Sequence, residues 1–468
     1  MKRGLMIFAI SASLMTGCAI GPNYRRPKVT TPPAFRGSEA APADAASLAD
    51  AKWFEVFKDE QLQALIRTAL QRNYDVREAI ARVEAARAAL GITRADQFPT
   101  LAAEVNLTTQ RFSRSGSFPL PQGVKQERTF GTVAGNLLSY EADVWGRVRR
   151  ATQAARADLL ASEESRKVVT MTLVSELATA YFNLLELDQE LEIARRTLAT
   201  REDSLRLIEA RQSRGLATLL EVRQAEQLVQ VAAQAIPGVE QRITQTENQI
   251  SLLLGENPAP VARKRQLTEQ QIPPVVPAGL PSSLLDRRPD ISAAEQNLVA
   301  ANALIGVAKA AYFPQISLTG LFGFQSSQLS SLFSGPTNAW QFTPQLTQPI
   351  FTGGRLKSNV RLAEANRKIA LVQYERTVQT AFREVADSLV QYQKAREIRG
   401  RQEALVTTLQ DRSRLSYRRY RGGVDTLLNA LDADRDLFDA ELRLAQTRRD
   451  ELLSIVNLYR ALGGGWQQ

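Results

Sequence analysis

An internal repeat constrains this chain most, because each half of the sequence follows the same plan. Residues 75–99, "DVREAIARVEAARAALGITRADQFP", align without gaps on residues 290–314, "DISAAEQNLVAANALIGVAKAAYFP". Further matches follow, including "GLATLL" from Gly215 against "GVDTLL" from Gly423. The repeat predicts two similar structural units, residues 75–255 and 290–463. The remaining segments are an N-terminal extension (18–74), a proline-rich linker (256–289) and a C-terminal tail (464–468).

Each repeat predicts a helix, then a pair of strands. The helix, over 75–97 or 290–312, is rich in alanine and ends at Phe-Pro. Alternation of apolar and polar residues then predicts strand pairs within 100–145 and 315–350, separated by Gly/Ser/Pro-rich loops at 111–127 and 326–338. The alternating positions are Leu101, Ala103, Val105, Leu107, Leu138, Tyr140, Ala142 and Val144, and then Ile316, Leu318, Gly320, Phe322, Phe324, Trp340, Phe342, Pro344, Leu346, Gln348 and Ile350.

Each repeat ends in a long helical hairpin, predicted over 147–254 and 355–462. At 1.5 Å per residue, an outgoing helix of about 67 residues extends on the order of 100 Å, more than a globular core requires. Apolar residues at steps of three and four indicate a coiled-coil seam. These residues are Met171, Val174, Ala178, Tyr181 and Leu185. Pro237-Gly238 predicts a break in the first return helix, with no counterpart in the second.

The sole cysteine, Cys18, follows a short N-terminal segment with the pattern of a signal peptide. Lys2 and Arg3 precede an apolar stretch, and Thr16-Gly17 before the cysteine resembles a lipoprotein box, although Met15 stands where leucine is usual. We therefore predict removal of residues 1–17 and a covalent lipid on Cys18, with no other cofactor. Ala19 in place of aspartate favours the outer membrane of a Gram-negative bacterium.

The composition argues against an enzyme and against nucleic-acid binding. The chain has no histidine, which removes the commonest acid/base catalyst and metal ligand, so we predict no catalytic residues and no metal site. The formal charge is +10, but basic and acidic residues are interleaved as on solvated helix faces. An exported protein with this pattern has no expected nucleic-acid partner.

The predicted strands have one apolar and one polar face, as in a sheet with lipid on one side and water on the other. A membrane sheet must close, because an open edge in lipid leaves backbone groups without hydrogen bonds. Four strands are too few to close, since single-chain barrels begin at about eight. Either the sheet lies outside the membrane, or two or three chains share one barrel.

At this point the sequence resembles the TolC/OprM family of outer-membrane factors, in its lipoprotein branch. The similarity covers essentially residues 18–468. It is carried by "GCAIGPNYRRP" (17–27), "WFEVFKDEQLQALIRTALQRNYDV" (53–76), "DRRPDI" (286–291), "PIFTGGRL" (349–356), "RRYRGGVDTLLNALDADRDLF" (418–438) and "LYRALGGGW" (458–466). The resemblance implies an α+β membrane protein, in which three chains share a twelve-stranded β-barrel that continues into a periplasmic α-barrel of long helices.

The resemblance also implies a function and a set of site residues. The homotrimer would be the passive exit duct of a tripartite efflux pump for drugs or other small molecules, with a periplasmic adaptor and an inner-membrane transporter as partners. The implied periplasmic gate consists of Arg419, Tyr420, Leu428, Asp432 and Arg435. The implied adaptor-facing turns consist of Gly215, Leu216, Ala217, Thr218, Gly423, Val424 and Asp425.

Physical arguments give these gate residues separate roles. A ring of Leu428 would block the pore by apolar contact, and a ring of Asp432 would attract cations. Arg419 and Tyr420 would join neighbouring helix pairs by hydrogen bonds to carboxylates. The plainer alternative is that Asp432 and Arg435 form an ordinary i,i+3 surface pair, and that the turn residues only reverse the chain.

Three other functions stay open at this stage. The channel could export peptides or proteins, as some members of this family do. The chain could be a lipid-anchored coiled-coil protein without a pore, which the alternating strands argue against. It could be a surface hydrolase or sugar-binding lipoprotein, which the lack of histidine argues against.

Overall fold

The computed structural model describes residues 19–36, 47–113, 121–271 and 281–467. The predicted signal peptide 1–17, Cys18, and parts of the 111–127 loop and of the linker lie outside the described residues. In chain order, the described α-helices and strands are α1 Trp53–Val56, α2 Glu60–Arg72, α3 Tyr74–Ala95, β1 Thr100–Arg111, β2 Glu127–Glu141, α4 Arg147–Gln212, α5 Leu219–Leu254, α6 Pro281–Arg287, α7 Pro289–Ala310, β3 Gln315–Ser326, β4 Asn338–Thr347, α8 Arg355–Arg421 and α9 Leu427–Ala461.

The chain divides into two compact units. The strand unit comprises the described residues before Val29, together with Val83–Ser162 and Ala294–Tyr374. The helical unit comprises Val29–Arg82, Glu163–Ala293 and Glu375–Gln468. Long helices and a four-stranded antiparallel sheet confirm the predicted α+β class.

The two repeats use helices of closely matched length. Helices α3 and α7 each have 22 residues, and the outgoing helices α4 and α8 have 66 and 67. The return helices α5 and α9 have 36 and 35 residues. The linker is not wholly irregular, because helix α6 and a 3₁₀ turn at Leu267–Glu269 fall within it.

The strands form one antiparallel sheet in the order β1-β2-β3-β4, so the central β2–β3 pairing joins the two repeats. In the register, Leu101 lies opposite Leu137, Val133 opposite Phe324, and Phe322 opposite Trp340. Within the described residues, β1 and β4 therefore each have a strand on one side only. The helices join the sheet at one end of the strands, and the loops join it at the other.

Alternation along the strands separates an apolar face from a polar face. The register places these residues on the apolar face: Leu101, Val105, Leu107, Val133, Leu137, Tyr140, Ile316, Leu318, Phe322, Phe324, Trp340, Phe342 and Leu346. The other face includes Glu104, Asn106, Thr108, Thr132, Asn136, Thr319, Gln325, Gln341, Thr343 and Gln345. A sheet packed on its own helices would bury its apolar side chains, but Val105 is 80 % exposed and Trp340 74 %.

A β-bulge in β2 makes part of the predicted strand pattern wrong. Leu137 lies opposite Gly320 and Tyr140 opposite Leu318, so two residues of β2 face one residue of β3 between these pairs. A bulge shifts the alternation by one residue. The apolar face therefore continues from Leu137 to Tyr140, and Leu138 does not belong to the regular series.

The predicted strands were also too long at their helix-joined ends. Ala142 and Val144 lie beyond β2, which ends at Glu141. Gln348 and Ile350 lie beyond β4, which ends at Thr347. Alternation of apolar residues alone does not mark where pairing with a neighbouring strand stops.

The predicted coiled-coil seam of α4 is confirmed as core. Its five residues, Met171, Val174, Ala178, Tyr181 and Leu185, are all buried. Among the described helices, only α4 has a segment that is long and apolar enough to cross a membrane, and 61 % of that segment is buried within the protein. This burial is typical of a core helix.

The predicted break at Pro237 is wrong, because α5 runs unbroken from Leu219 to Leu254 with this proline inside it. Proline removes one helical hydrogen bond and favours a kink. Packing on both sides holds the helix together, since Ala232 and Val239 are buried and Ile236 contacts the core near Ile193. Tertiary contacts here outweigh the local preference.

Candidate functional site: the turns of the helical hairpins

Both long hairpins reverse at a glycine with a left-handed backbone. Gly215 has a φ of 71° and Gly423 a φ of 75°. In each turn a backbone N–H donates back to the last helical turn, from Leu216 to the Arg211 carbonyl at 2.9 Å and from Val424 to the Arg419 carbonyl at 3.1 Å. A Cβ atom added at either glycine would meet nothing within 4 Å. The backbone angle, rather than a lack of space, therefore selects glycine.

The return helices begin with different caps. At α5, the Thr218 hydroxyl accepts from the Glu221 N–H at 3.3 Å, and the Glu221 carboxylate accepts from the Thr218 N–H at 2.6 Å. This reciprocal pair is a capping box. At α9, the Asp425 carboxylate instead accepts from the Thr426 N–H at 2.8 Å and from the Asn429 amide at 2.7 Å.

Arg419 bonds within its own turn. Its Nε donates to the Asp425 carboxylate at 3.0 Å. Hydrogen bonds from Asn429 and then from Arg419 lower the pKa of Asp425. Within this chain the bond braces the α8–α9 turn, and the predicted hydrogen bond of Arg419 to a neighbouring helix pair stays a prediction.

The predicted adaptor-facing residues form an accessible surface. Gly215, Leu216, Thr218, Gly423 and Val424 are exposed, whereas Ala217 and Asp425 are half-buried. Exposed apolar side chains are concentrated there, namely Leu216, Leu219, Leu220, Val424 and Leu428. Clustered exposed apolar residues are typical of a surface that binds another protein.

Tyr420 joins the two hairpins of the chain by packing. It lies in an apolar cluster with Ile208, Val222, Ala225, Leu427, Ala430 and Leu431. The Arg211 guanidinium lies 4.9 Å from its ring centroid, in position for a cation–π contact. Among the described residues its buried hydroxyl has no well-formed hydrogen bond. Burial, followed by the nearby Glu221 carboxylate, raises the pKa of Tyr420.

The other predicted gate residues lie on the first turns of α9. Leu428 is 51 % exposed. Asp432, one turn further along, has an ion pair of 3.4 Å with Arg435. This is the i,i+3 surface pair of the plainer alternative, so within one chain Asp432 and Arg435 stabilise α9 only slightly.

A buried ion pair above these turns was missed by the sequence analysis. Arg201 of α4 is 3 % exposed, and its Nε donates to the Asp434 carboxylate of α9 at 2.8 Å. Its Nη1 donates to the Leu228 carbonyl of α5 at 3.0 Å, and its guanidinium lies 5.0 Å from the Phe438 ring centroid. Arg201 thus links three helices of both hairpins. Nothing in the local sequence distinguishes it from the exposed arginines beside it.

Comparison with known proteins places this architecture in one family. The sequence model described as "Outer membrane efflux protein" matches residues 65–256 and 280–464. The chain belongs to the outer membrane efflux protein family. It is 39 % identical over 473 residues to the probable efflux pump outer membrane protein TtgC of Pseudomonas putida, covering 100 % of this chain and 97 % of the relative.

Two further relatives of this outer membrane efflux protein are similar along nearly their whole length. The outer membrane protein OprJ of Pseudomonas aeruginosa is 38 % identical over 468 residues, covering 98 % of this chain and 96 % of the relative. The open-state MtrE outer membrane channel of Neisseria gonorrhoeae superposes with a TM-score of 0.86 at 32 % identity, covering 96 % of this chain and 99 % of that chain. MtrE is named as a channel, and the family consists of channel proteins rather than enzymes.

The described part of this outer membrane efflux protein contains no group of three or more acidic or cysteine residues arranged to hold a metal ion. The features described at the turns are the glycine backbone, exposed apolar side chains and ion pairs.

Proposed function

We propose that this outer membrane efflux protein is the passive exit duct of a tripartite efflux pump. It would conduct drugs or other small molecules from the periplasm to the exterior, with an adaptor and an inner-membrane transporter as partners. The observation that carries the proposal is the four-stranded sheet, whose apolar face is exposed and whose opposite face is polar. Lipid outside and water inside would satisfy both faces.

The open edges of the sheet support a shared barrel. Strands β1 and β4 each have one side without a neighbour in the described chain. Such edges in lipid would leave N–H and C=O groups without hydrogen bonds, which costs several kcal/mol per group. Pairing β1 of one chain with β4 of the next removes both edges. Three chains then supply the twelve strands of the homotrimer that the family resemblance implies.

The turns of the hairpins are proposed as the periplasmic gate and as the adaptor-facing surface. In a trimer, threefold symmetry would turn Leu428 and Asp432 into rings, one apolar and one acidic. The Tyr420 cluster would fix the angle between the two hairpins of each chain. Because conduction is passive, no residue needs to act chemically on the transported compound.

The lipid on Cys18 belongs to this proposal. In this proposal the shared barrel already crosses the membrane. The acyl group would therefore serve to anchor the N-terminus to the outer membrane. We expect Cys18→Ser to abolish labelling by a palmitate analogue and to leave trimers intact, because strand pairing joins the chains. Persistent label on the variant would rule out this lipidation site.

Single-channel recording tests the channel directly. Purified full-length protein should migrate as a detergent-resistant trimer and give discrete conductance steps in planar bilayers. A stable protein without conductance, alone or with its adaptor bound, would favour the pore-free coiled-coil alternative. Efflux is proposed over peptide or protein export because the named relatives are efflux-pump proteins.

A further inference from the structure

The first described residues of the chain lie in a closely fitting site of the strand unit. The segment Ala19–Lys28, here called the N-terminal strap, begins beside the junction of β2 and α4. The Ile20 N–H donates to the Trp145 carbonyl at 3.0 Å. We propose that Gly146, Arg150 and the facing side of α7 form a seat for this strap, and that the seat fixes the point at which the lipid on Cys18 is anchored.

Arg150 is the centre of the seat. It is 5 % exposed, and its guanidinium donates to the strap through two nitrogens. Its acceptors in the strap are the carbonyl oxygens of Ala19 (3.4 Å), Ile20 (3.2 Å) and Gly21 (3.3 Å) and the side-chain oxygen of Asn23 (2.8 Å). A buried arginine held by backbone carbonyls depends on the strap to satisfy its donors.

Glycines allow the strap to approach this closely. A Cβ atom at Gly306 would lie 2.6 Å from the Ile20 carbonyl oxygen and 2.8 Å from Cγ of Arg150. A Cβ atom at Gly146 would lie 2.7 Å from Cα of Ala19. All three distances are shorter than van der Waals contact, so any larger residue would displace the strap.

One face of α7 continues the seat along the strap. The Asn302 amide donates to the Pro22 carbonyl at 2.9 Å. Glu295 accepts from the Tyr24 hydroxyl at 2.9 Å and pairs with Arg26 at 3.1 Å. Gly306, Asn302 and Glu295 are four and seven residues apart and therefore share one helix face.

The repeat provides a matched comparison inside the same chain. The residues of the first repeat that correspond to Glu295, Asn302 and Gly306 are Ile80, Arg87 and Gly91. Gly354 and Ser358 likewise correspond to Gly146 and Arg150. A Cβ atom at Gly91 or Gly354 meets nothing within 4 Å in the described chain. Both repeats keep the glycines, but only one has the arginine, the asparagine and the glutamate that hold the strap.

The position of the seat has a consequence for the lipid. This consequence rests on the proposed lipidation of Cys18. Ala19 packs against Gly146, and no residue separates Ala19 from the acylated Cys18 in the sequence. Trp145, whose carbonyl accepts from the Ile20 N–H, has its ring centroid 4.9 Å from that of Phe313. Tryptophan is enriched at the membrane–water interface. The seat thus determines where the acyl chains enter the membrane relative to the barrel.

Protection of the strap from trypsin tests the seat in the full-length, membrane-extracted protein. Arg25 and Lys28 are the cleavage sites, and fragments are identified by mass spectrometry. Gly306→Val and Arg150→Gln should accelerate cleavage by about tenfold or more, since proteolysis follows the population of the detached strap. The matched controls, Gly91→Val and Arg156→Gln, should cleave at the wild-type rate. Equal protection in the seat variants, or equal loss in the controls, would overturn the proposal.

A second measurement locates the acyl group and separates the seat from the lipidation. A photoreactive, alkyne-bearing fatty acid incorporated at Cys18 should cross-link to peptides containing Trp145 or Phe313 in the wild type. Gly306→Val should keep the incorporated fatty acid but lose this cross-link. An unchanged cross-link would refute the anchoring role of the seat. Absence of the fatty acid from every variant would refute lipidation alone, because trypsin protection would still report on the seat.

Discussion

Removal of Arg201 is the sharpest test of how the two hairpins are held together. Arg201→Ala would leave the Asp434 carboxylate buried without its ion-pair partner. Removing one member of a buried pair costs about 3–5 kcal/mol. It also removes the hydrogen bond to the Leu228 carbonyl, so both hairpins lose a contact. We therefore expect lower stability and a larger resting conductance.

A nearby exposed ion pair supplies the control. Arg412 and Asp436 are 2.7 Å apart and join α8 to α9, but their side chains are 49 % and 37 % exposed. Exposed pairs contribute about 0–1 kcal/mol. Arg412→Ala should therefore change neither the free energy of unfolding nor the conductance by a comparable amount.

A double variant separates the cost of leaving Asp434 unpaired from the cost of losing the contact between the hairpins. Replacing both Arg201 and Asp434 by leucine removes the charges together, a change that is often neutral or stabilising. It should restore stability relative to Arg201→Ala. The measurements are urea unfolding of purified trimers and single-channel recording. If Arg201→Ala costs less than about 1 kcal/mol and leaves conductance unchanged, the Arg201–Asp434 pair does not hold the two hairpins together.

Three further predictions follow from the other sites. A cysteine at Ser331, in the β3–β4 loop, should react with an impermeant maleimide on intact cells, while one at Gly423 is protected. The reverse labelling would show that the protein has the opposite orientation in the membrane. Tyr420→Ala should destabilise the helical unit by roughly 3–5 kcal/mol, as measured by unfolding, because it empties the apolar cluster between the hairpins. Burial, with the neighbouring Glu190, raises the pKa of Glu186 to about 8. The folded state therefore holds this proton more tightly than the unfolded state, and the free energy of unfolding should fall as pH rises from 4.5 towards 8. Glu186→Gln should reduce this pH dependence, as measured by thermal unfolding. An identical pH profile for the variant would contradict the prediction.

Sequence periodicity predicted the parts of this fold that repeat over many residues. The seam of α4 and the two-residue alternation of β3 follow directly from where side chains point in a helix or a strand. Single-residue irregularities were not predictable in this way. The bulge after Leu137 shifts the strand phase locally, and the continuity of α5 through Pro237 depends on packing from other helices.

Charged residues illustrate the same limit at the candidate site. Arg201 and Arg150 are buried, whereas Arg412 and Arg156 are not, yet all four lie in helices within two residues of another charged residue. Whether a charged side chain is buried depends on which helices pack around it, and the sequence of one helix does not show which other helices pack against it. The turn glycines at 215 and 423 were recognisable because a left-handed backbone requires glycine locally.

The matched helix lengths of the two hairpins restrict how this protein can change during evolution. Helix α8 is one residue longer than α4, and α9 is one residue shorter than α5. An added helical residue moves everything beyond it by about 1.5 Å and rotates it by about 100°. A single insertion would therefore pull Tyr420 away from Ile208 and Val222. Insertions or deletions should therefore occur in all four helices together, in steps of about seven residues, because two helical turns return each side chain to the same helix face.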